Sequence, residues 1–510
     1  MITSNDIATL LDPQLRDYIA GHLSDDPGRV ALSLREHGAL VATQIKYLQR
    51  ARVKLPSYYA ALCILPPLSF EQSSSEETAS VKRYSGDTCL DLTCGLGVDA
   101  FYLSKRFRQV IAVERNAELS EIARINFRLL GVQNIRVVNS PAEAFLEQLR
   151  GQTQTTPDRN SGTIDLIYID PARRDDQGKK VWLLEDCSPD AKALMPQLLA
   201  LAPKVVVKAS PLFDVDEAFR LFGDTASVEI VSVRGECKEV LIEVSRQAPQ
   251  QQEQPEKQQP WQEAGQAPQR ASQPAAAMEN RKKGSVLENR KDGQIRLTIA
   301  GRPSLCFDHT SGTWTDPETS GAGSGTVVAE SGISTIEQAS KHGQGQKPEL
   351  QQPDTNAPVR TAEERTCPAA DTPAAELAAA PGYLLIPDVT LYKARLVQAY
   401  ASRCGCTAPS PGGYCFGDRI PANFFGRAYP IREMLPYQPK ILKRHFKQAG
   451  ITRCNLLKKE FPHNADAIAQ ALGIRQGGTR YAAFTRIGEH LYALLLGDEI
   501  RLPAETTPHV

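Results

Sequence analysis

The sequence predicts an α/β protein whose main body is a doubly wound parallel sheet ending in an antiparallel strand pair. Three observations carry this. Short apolar runs alternate with helical stretches between residues 89 and 208, as in a sheet whose two faces are covered by crossover helices. A glycine turn, Thr93-Cys94-Gly95-Leu96-Gly97, joins the first run to a helix. The last two runs, 228–233 and 240–244, are separated only by Arg234-Gly235-Glu236-Cys237-Lys238-Glu239, which is too short for a crossover helix and requires an antiparallel pair. N-terminal helices precede this body, and a small C-terminal α+β domain follows it.

In chain order, residues 1–66 read as a helical region. Asp12-Pro13 caps a segment with Leu15, Tyr18, Ile19 and Leu23 on one face. A second helix over 41–54 turns Val41, Ile45 and Leu48 inward and several cations outward, and stops at Pro56. The outward cations read first as a solvated face and second as a contact for a polyanion. In Ser73-Ser74-Ser75-Glu76-Glu77, serines followed by acids mark a helix start, with Ser73 or Ser74 as N-cap. The core, 67–246, then places strands at 89–92, 108–113, 135–138, 164–169 and 204–208, with a helix over 119–130. The segment 247–285 is rich in Gln, Pro and Ala and is expected to be a disordered insertion. A short hairpin (286–310) and a second low-complexity insertion (311–381) follow. Order returns at 382, with helices expected over 391–400, 441–448 and 465–472 and a closing hairpin of 481–486 with 491–496.

The bulk numbers narrow the class. With 510 residues there is room for two or three domains. Fifty-nine basic and 59 acidic side chains give a net charge of zero, so any surface that attracts nucleic acid is local. No run is long and apolar enough to span a bilayer, so no membrane partner is expected, and the start of the chain lacks a secretory pattern; a soluble, cytoplasmic protein is expected. The 11 cysteines are scattered without a C-x-x-C pair and read as reduced thiols. No metal site is expected.

The chemistry concentrates at the glycine turn. Asp91 ends the first strand, and Gly95 and Gly97 allow a ligand close to the backbone at a strand-to-helix junction. Glu114 ends the second strand, about twenty residues after the first glycine, where an acid reaches ribose hydroxyls. Together these residues point to an adenosine-type ligand. Asp170 closes the fourth strand in Asp170-Pro171-Ala172-Arg173-Arg174. In the C-terminal domain Lys440, Lys443, Arg444 and Lys447 share a helical face, which reads either as a solvated surface or as a contact for nucleic-acid phosphates.

Residues 91–99, D-L-T-C-G-L-G-V-D, resemble the first motif of class I S-adenosylmethionine-dependent methyltransferases, Glu114 their ribose-binding acid and Asp170-Pro171 the start of their fourth motif. The chain is similar in more detail to a bacterial subfamily carrying a C-terminal THUMP-like domain. The similar runs are E-Q-x-S-S-E-x-T-A at 71–79, D-P-A-R-R at 170–174, K-x-S-P-L-x-D at 208–214 and G-E-C-K-E at 235–239. Gly382-Tyr383-Leu384, Lys393 and Gly477-Gly478 extend it more loosely.

The resemblance implies a Rossmann-like methyltransferase sheet, a ferredoxin-like piece over 382–435 and a THUMP-like domain over 436–503. S-adenosyl-L-methionine is the implied cofactor, held by Ser75, Glu76, Asp91, Thr93, Gly95, Gly97, Asp99, Glu114, Ala142 and Asp170. Asp170, Arg173 and Lys208 are the implied catalytic residues, and RNA (tRNA or rRNA) the implied substrate. The stretch Asn139-Ser140-Pro141-Ala142 departs from the small-Asp pair with which many relatives hold adenine, and Cys94 stands where glycine is usual.

Methyl transfer requires donor and acceptor to be aligned and the acceptor's lone pair to be free; Asp170 is placed to accept an amine's hydrogen bond or its proton. Methylating a ring carbon through a thiolate would require a cysteine after the fourth or fifth strand. Ser210-Pro211 follows the fifth, and Cys187 lies far along the chain from Asp170, so nitrogen or oxygen is the expected acceptor. A methyltransferase acting on a protein or small molecule, and a non-catalytic RNA-binding protein of this fold, remain as alternatives.

Overall fold

The computed structural model describes residues 2–155, 163–172, 184, 187–246, 293–300, 302–309, 311–315 and 381–502. Arg173, the insertion at 247–285, residues 286–292 and residues 316–380 lie outside them.

Five helices form the N-terminal region: α1 (Ser4–Leu11), α2 (Pro13–Gly21), α3 (Pro27–Ser33), α4 (Gly38–Lys54) and α5 (Pro56–Ala60). Asp12 caps α2 by accepting the Leu15 N–H, with Pro13 in the first turn, where its missing donor is not needed. α6 (Pro67–Gln72) and α7 (Glu76–Ser80) lead into the core. The cap of α7 is Ser75, which accepts the Thr78 N–H at 3.1 Å. That corrects the expected Ser73 or Ser74, because the chain leaves α6 into extended backbone at Ser73 and turns helical again only after Ser75.

The main sheet contains β1 (Gly86–Asp91), β2 (Phe107–Glu114), β3 (Ile135–Asn139), β4 (Leu166–Ile169), β5 (Lys204–Ala209), β6 (Ala226–Val233), β7 (Glu236–Ser245), β8 (Gln294–Ile299), β9 (Leu305–Asp308) and β10 (Thr313–Thr315). Their spatial order is β10-β9-β8-β6-β7-β5-β4-β1-β2-β3. β1 to β5 are mutually parallel where they pair, and β7 runs antiparallel to both β5 and β6. α8 (Val98–Ser104), α9 (Ala117–Leu129), α10 (Ala142–Thr155), α11 (Ala191–Leu201) and α12 (Val215–Phe222) provide the crossovers. Alternation along each strand divides the core. Val110 and Ala112 of β2 join a cluster with Val41, Ile45 and Leu48 of α4, whereas Ile111 and Val113 face the opposite cluster. The N-terminal helices therefore cover one face of the sheet together with α8 and α9.

The short hairpin does not stand alone, since β8 adds to the sheet parallel to β6 and β9 folds back on β8. β10 falls inside the tract expected to lack structure from 311 onward. It is ordered because Trp314 packs on Phe307, with ring centroids 4.7 Å apart, and on Tyr400 at 5.7 Å.

The C-terminal part is one sheet, in the order β12-β11-β13-β16-β15-β14. Its strands are β11 (Tyr383–Pro387), β12 (Cys415–Gly417), β13 (Gly426–Pro436), β14 (Arg453–Lys459), β15 (Arg475–Ile487) and β16 (His490–Leu496), with helices α13 (Val389–Lys393), α14 (Val397–Cys404), α15 (Pro439–Gln448) and α16 (Ala465–Leu472). β13 runs unbroken across the boundary expected at 435/436, so the two expected pieces share a single sheet. Gly477 and Gly478 have φ of 94° and 92°, which favours glycine, and the β14–β15 register shifts there. This sheet docks on the main one: Leu385, Leu391, Leu396 and Val397 belong to the same apolar cluster as Val228, Ile230 and Ile242. Arg395 pairs with Asp216 across that junction at 2.5 Å. Among the described residues no helix is long and apolar enough to cross a membrane.

Candidate active site

The carboxyl ends of β1, β2, β4 and β5 converge beside the glycine turn. Leu92 N–H donates to the Tyr168 carbonyl and Cys94 N–H to the Val113 carbonyl, so the turn is fastened to both neighbouring strands. Gly95 (φ 57°) and Gly97 (φ 87°) take left-handed backbone that a side chain would strain. At Gly97 a Cβ would also come within 2.5 Å of the Phe127 ring, so this glycine serves packing. At Gly95 the same atom would have open space, its nearest neighbour 4.0 Å away, which leaves the backbone open to a ligand.

Glu114 reaches the turn. Its Oε2 accepts the Gly95 N–H and its Oε1 the Asn116 N–H, each at 2.8 Å. A carboxylate has about four lone-pair positions, so hydroxyl donors can still be accepted. Asp91 is 1% exposed and accepts the Thr93 N–H at 3.0 Å. Burial, with the nearby Asp99 and Asp170 carboxylates adding to it, raises its pKa to about 7 against that hydrogen bond. The Thr93 Oγ1 in turn accepts the Asp170 N–H at 2.6 Å, locking the end of β4 to the turn. Ala142 is buried at the start of α10, beyond β3. There Ser140 N–H and Asn139 Nδ2 both donate to the Glu114 carbonyl.

Behind Asp170 lies a buried ionic cluster. The Lys208 ammonium donates to Asp170 Oδ2 at 2.5 Å, Ser74 Oγ at 2.9 Å and Asp99 Oδ2 at 3.2 Å. Lys82, with no exposed side-chain surface, donates to Asp99 Oδ1 at 2.6 Å and approaches Glu239 Oε1 to 2.9 Å. Ser74 Oγ and Tyr168 Oη also donate to Asp99. Burial alone would raise the Asp99 pKa, but the Lys208 and Lys82 ammonium groups outweigh it and hold the carboxyl below the usual carboxylate range. For Lys208, burial works against the charge, and Asp170 and Asp99 reverse that, so its pKa lies above the usual lysine value. Burial pushes the Glu239 pKa up against the pull of both lysines. Three carboxylates thus share two ammonium groups next to the strand ends.

Several expected roles change. The Glu76 oxygens accept from Ser57 N–H and Oγ, Tyr58 N–H and Tyr102 Oη. Its carboxylate is thereby committed to tying the N-terminal helices to α8, where it had been expected to line the cofactor pocket. Asp99 is likewise committed to the cluster, and Ser75 to its cap. Lys82 and Glu239 escaped the sequence reading of the site; the signal was a lone acid entering the apolar run Val240-Leu241-Ile242 and a lysine just after the 71–79 motif. Cys187, far from Asp170 along the chain, is brought back to the segment that follows Asp170, because Ser188 and Ala172 exchange backbone hydrogen bonds of 2.7 and 3.1 Å. Lys440, Lys443, Arg444 and Lys447 are all exposed on α15, whose Leu442 and Phe446 are buried and whose Ile441 is half exposed.

Residues 426–498 match the family model described as THUMP domain-like. A structure from Porphyromonas gingivalis W83, assigned provisionally as a methyltransferase, superposes with a TM-score of 0.64 at 21% identity, covering 98% of this chain and 100% of that one. A tRNA/tmRNA (uracil-C(5))-methyltransferase of Shewanella amazonensis is 32% identical over 150 residues, 26% of this chain and 40% of that protein. One from Photobacterium profundum is 26% identical over 167 residues, 29% and 45% respectively. The chain thus spans less than half the length of these curated relatives. The fold is that of the Porphyromonas structure, a mainly parallel sheet in which β7 runs antiparallel to its neighbours β5 and β6. The C-terminal domain is THUMP-like, as the resemblance implied.

Proposed function

We propose that this chain is an S-adenosylmethionine-dependent methyltransferase that modifies a nitrogen (or oxygen) of a nucleotide in structured RNA, tRNA or rRNA, in the cytoplasm. The observation that carries the reading is the Asp170–Lys208 pair at the strand ends, joined through Thr93 to the glycine turn and Glu114. The residues fit the cofactor: Gly95 leaves open backbone, Glu114 retains acceptor capacity for ribose hydroxyls, and Asp91 and Thr93 brace the turn between them. When bound there, the cofactor supplies an electrophilic methyl group. With Oδ2 held by Lys208, Asp170 presents Oδ1 to an acceptor's N–H, orienting the amine and keeping its lone pair on the methyl side. Lys208 holds Asp170 Oδ2 in place, and the buried cluster keeps Lys208 in place.

The relatives named for uracil C5 support RNA as the substrate class, but a ring carbon asks for different chemistry. Such a carbon is a poor nucleophile until a thiolate adds to the ring, and β5 here ends in Ala209-Ser210-Pro211. Burial pushes the Cys94 thiol pKa up, which makes it a poor thiolate. One observation favours ring carbon as a second reading, namely the pairing of Ser188 with Ala172, which brings Cys187 to the Asp170 segment. The test is incubation with labelled cofactor and total RNA from cells lacking the protein, followed by identification of the labelled nucleoside. N- or O-methylation that persists in Cys187→Ser supports the first reading. A C5-methylated pyrimidine lost in Cys187→Ser supports the second, and no label in any nucleoside refutes both.

A further inference from the structure

The outward face of α4 runs from solvent to the edge of the active site. Lys46, Arg50, Val53 and Lys54 lie on it at helical spacing, opposite the buried Val41, Ile45 and Leu48. Lys46 is exposed, the Arg50 side chain is 47% exposed and Val53 is 71% exposed. From Lys46 to Lys54 the helix rises about 12 Å at its usual pitch. At the far end Lys54 donates to the carbonyls of Phe70 and Glu71 at 2.5 and 3.2 Å. Three residues on, Ser74 bonds Asp99 and receives Lys208. The cationic face therefore ends at the wall of the site.

Two features distinguish this face from an ordinary solvated one. Its cations lie over aromatic rings: the Arg50 guanidinium is 5.3 Å from the Tyr47 centroid and 5.4 Å from that of Phe70, and the Lys54 ammonium is 4.8 Å from Phe70. Lys54 is also held against its own interest. Burial lowers its pKa to about 8, Glu71 opposes this, and the like charges of Arg50 and Lys208 add to the lowering. The carboxylate that opposes this, Glu71, is already paired with Arg50, so a further anion at this end of the face would stabilise the ammonium. Exposed apolar groups accompany the cations: Val53 is on the face, and Leu68 is in α6, which packs against α4. These side chains are suited to contact unstacked bases.

We propose that the Lys46–Arg50–Val53–Lys54 face of α4 is a second RNA-docking surface, which takes the phosphates flanking the acceptor nucleotide and leads the strand to Asp170. It rests on the reading of RNA as substrate, and it gives the N-terminal helices a role beyond covering the sheet. The C-terminal helix α15 would hold the body of the RNA, and α4 the segment that enters the site. Arg50 and Lys54 also brace the 71–75 segment, through the Glu71 carboxylate and the two carbonyls, so the informative substitutions are at Lys46 and Val53.

The experiment uses the full chain with total bacterial tRNA as the probe. Native protein is compared with Lys46→Glu plus Val53→Glu, with Lys46→Gln, and with Lys443→Glu plus Lys447→Glu. Affinity is measured at several salt concentrations, and cofactor affinity by calorimetry. The α4 double variant should bind tRNA at least about ten-fold more weakly, with a log–log salt slope smaller by about 0.7 to 0.9 for the lost Lys46 contact. Lys46→Gln should show the same slope change with a smaller loss of affinity than the double variant, and cofactor affinity should match the native value in both. If native protein and α4 variants share one affinity and slope while the α15 variant is weakened, the α4 surface is refuted and the RNA reading stands. If native protein does not bind tRNA or methylate RNA, the RNA reading falls and this inference with it.

Discussion

Asp91 offers a quantitative test of how the turn is built. Its carboxyl is buried, accepts one backbone N–H, and lies near the Asp99 and Asp170 carboxylates; its pKa in the folded chain is about 7 against 3.8 as the reference. A group with a raised folded pKa binds more protons folded than unfolded between those values, so its contribution to stability is present below the unfolded pKa and is lost as pH rises through the folded one. The slope is about 1.4 kcal/mol per pH unit across that window, which amounts to about 4 kcal/mol for the whole shift. Between pH 5 and pH 8 the native chain should lose about 3 kcal/mol through Asp91. Asp91→Asn keeps an acceptor for the Thr93 N–H but does not titrate. The stability of the variant relative to native, from urea unfolding followed at the main domain, should therefore climb from pH 5 to about 7 and then level off. Parallel curves for the two proteins would mean instead that Asp91 is ionised throughout this range and carries no such pH dependence.

Other consequences follow from the same geometry. Asp170→Asn should preserve cofactor affinity in calorimetry while lowering turnover on the order of a hundred-fold, since an amide keeps the size but not the charge; near-native turnover would reduce Asp170 to a structural residue. Lys82→Met leaves Asp99 and Glu239 facing each other with only Lys208 to share, and should destabilise the main domain by about 3 to 5 kcal/mol. Lys82→Met with Glu239→Leu should recover much of that loss in denaturant unfolding, and no recovery would mean that the two groups are not coupled. Glu114→Ala should weaken cofactor binding without changing the thermal midpoint by more than a few degrees; an unchanged calorimetric affinity would place the ribose elsewhere. Lys443→Glu with Lys447→Glu should flatten the salt dependence of RNA affinity by about 0.7 to 0.9 per lost phosphate contact, and coincident slopes would leave α15 a solvated face.

What the sequence determined by itself is what short-range physics decides. The turn at Gly95 and Gly97 was legible because left-handed backbone asks for glycine. The β1–β2 pair could be read from strand-length apolar runs, the antiparallel β6–β7 pair from a connection too short to cross over, and the α2 start from Asp12-Pro13. In each case the cause and the signal lie within a few residues of one another. The tertiary structure alone decided the company each charge keeps. Lys208 meets Ser74 across 134 residues and Asp99 across 109, and Lys82, in the loop before β1, reaches Glu239 on β7. No period or spacing announces such meetings, because a buried charge is stabilised only by the particular partners that the packed sheet brings to it. For the same reason Glu76 and Asp99 looked like cofactor ligands in their motifs, yet their oxygens are committed to protein donors. The extra strand at Thr313–Thr315 was hidden in the same way, since three residues in a polar tract become a strand only when Trp314 finds Phe307 and Tyr400 to pack against.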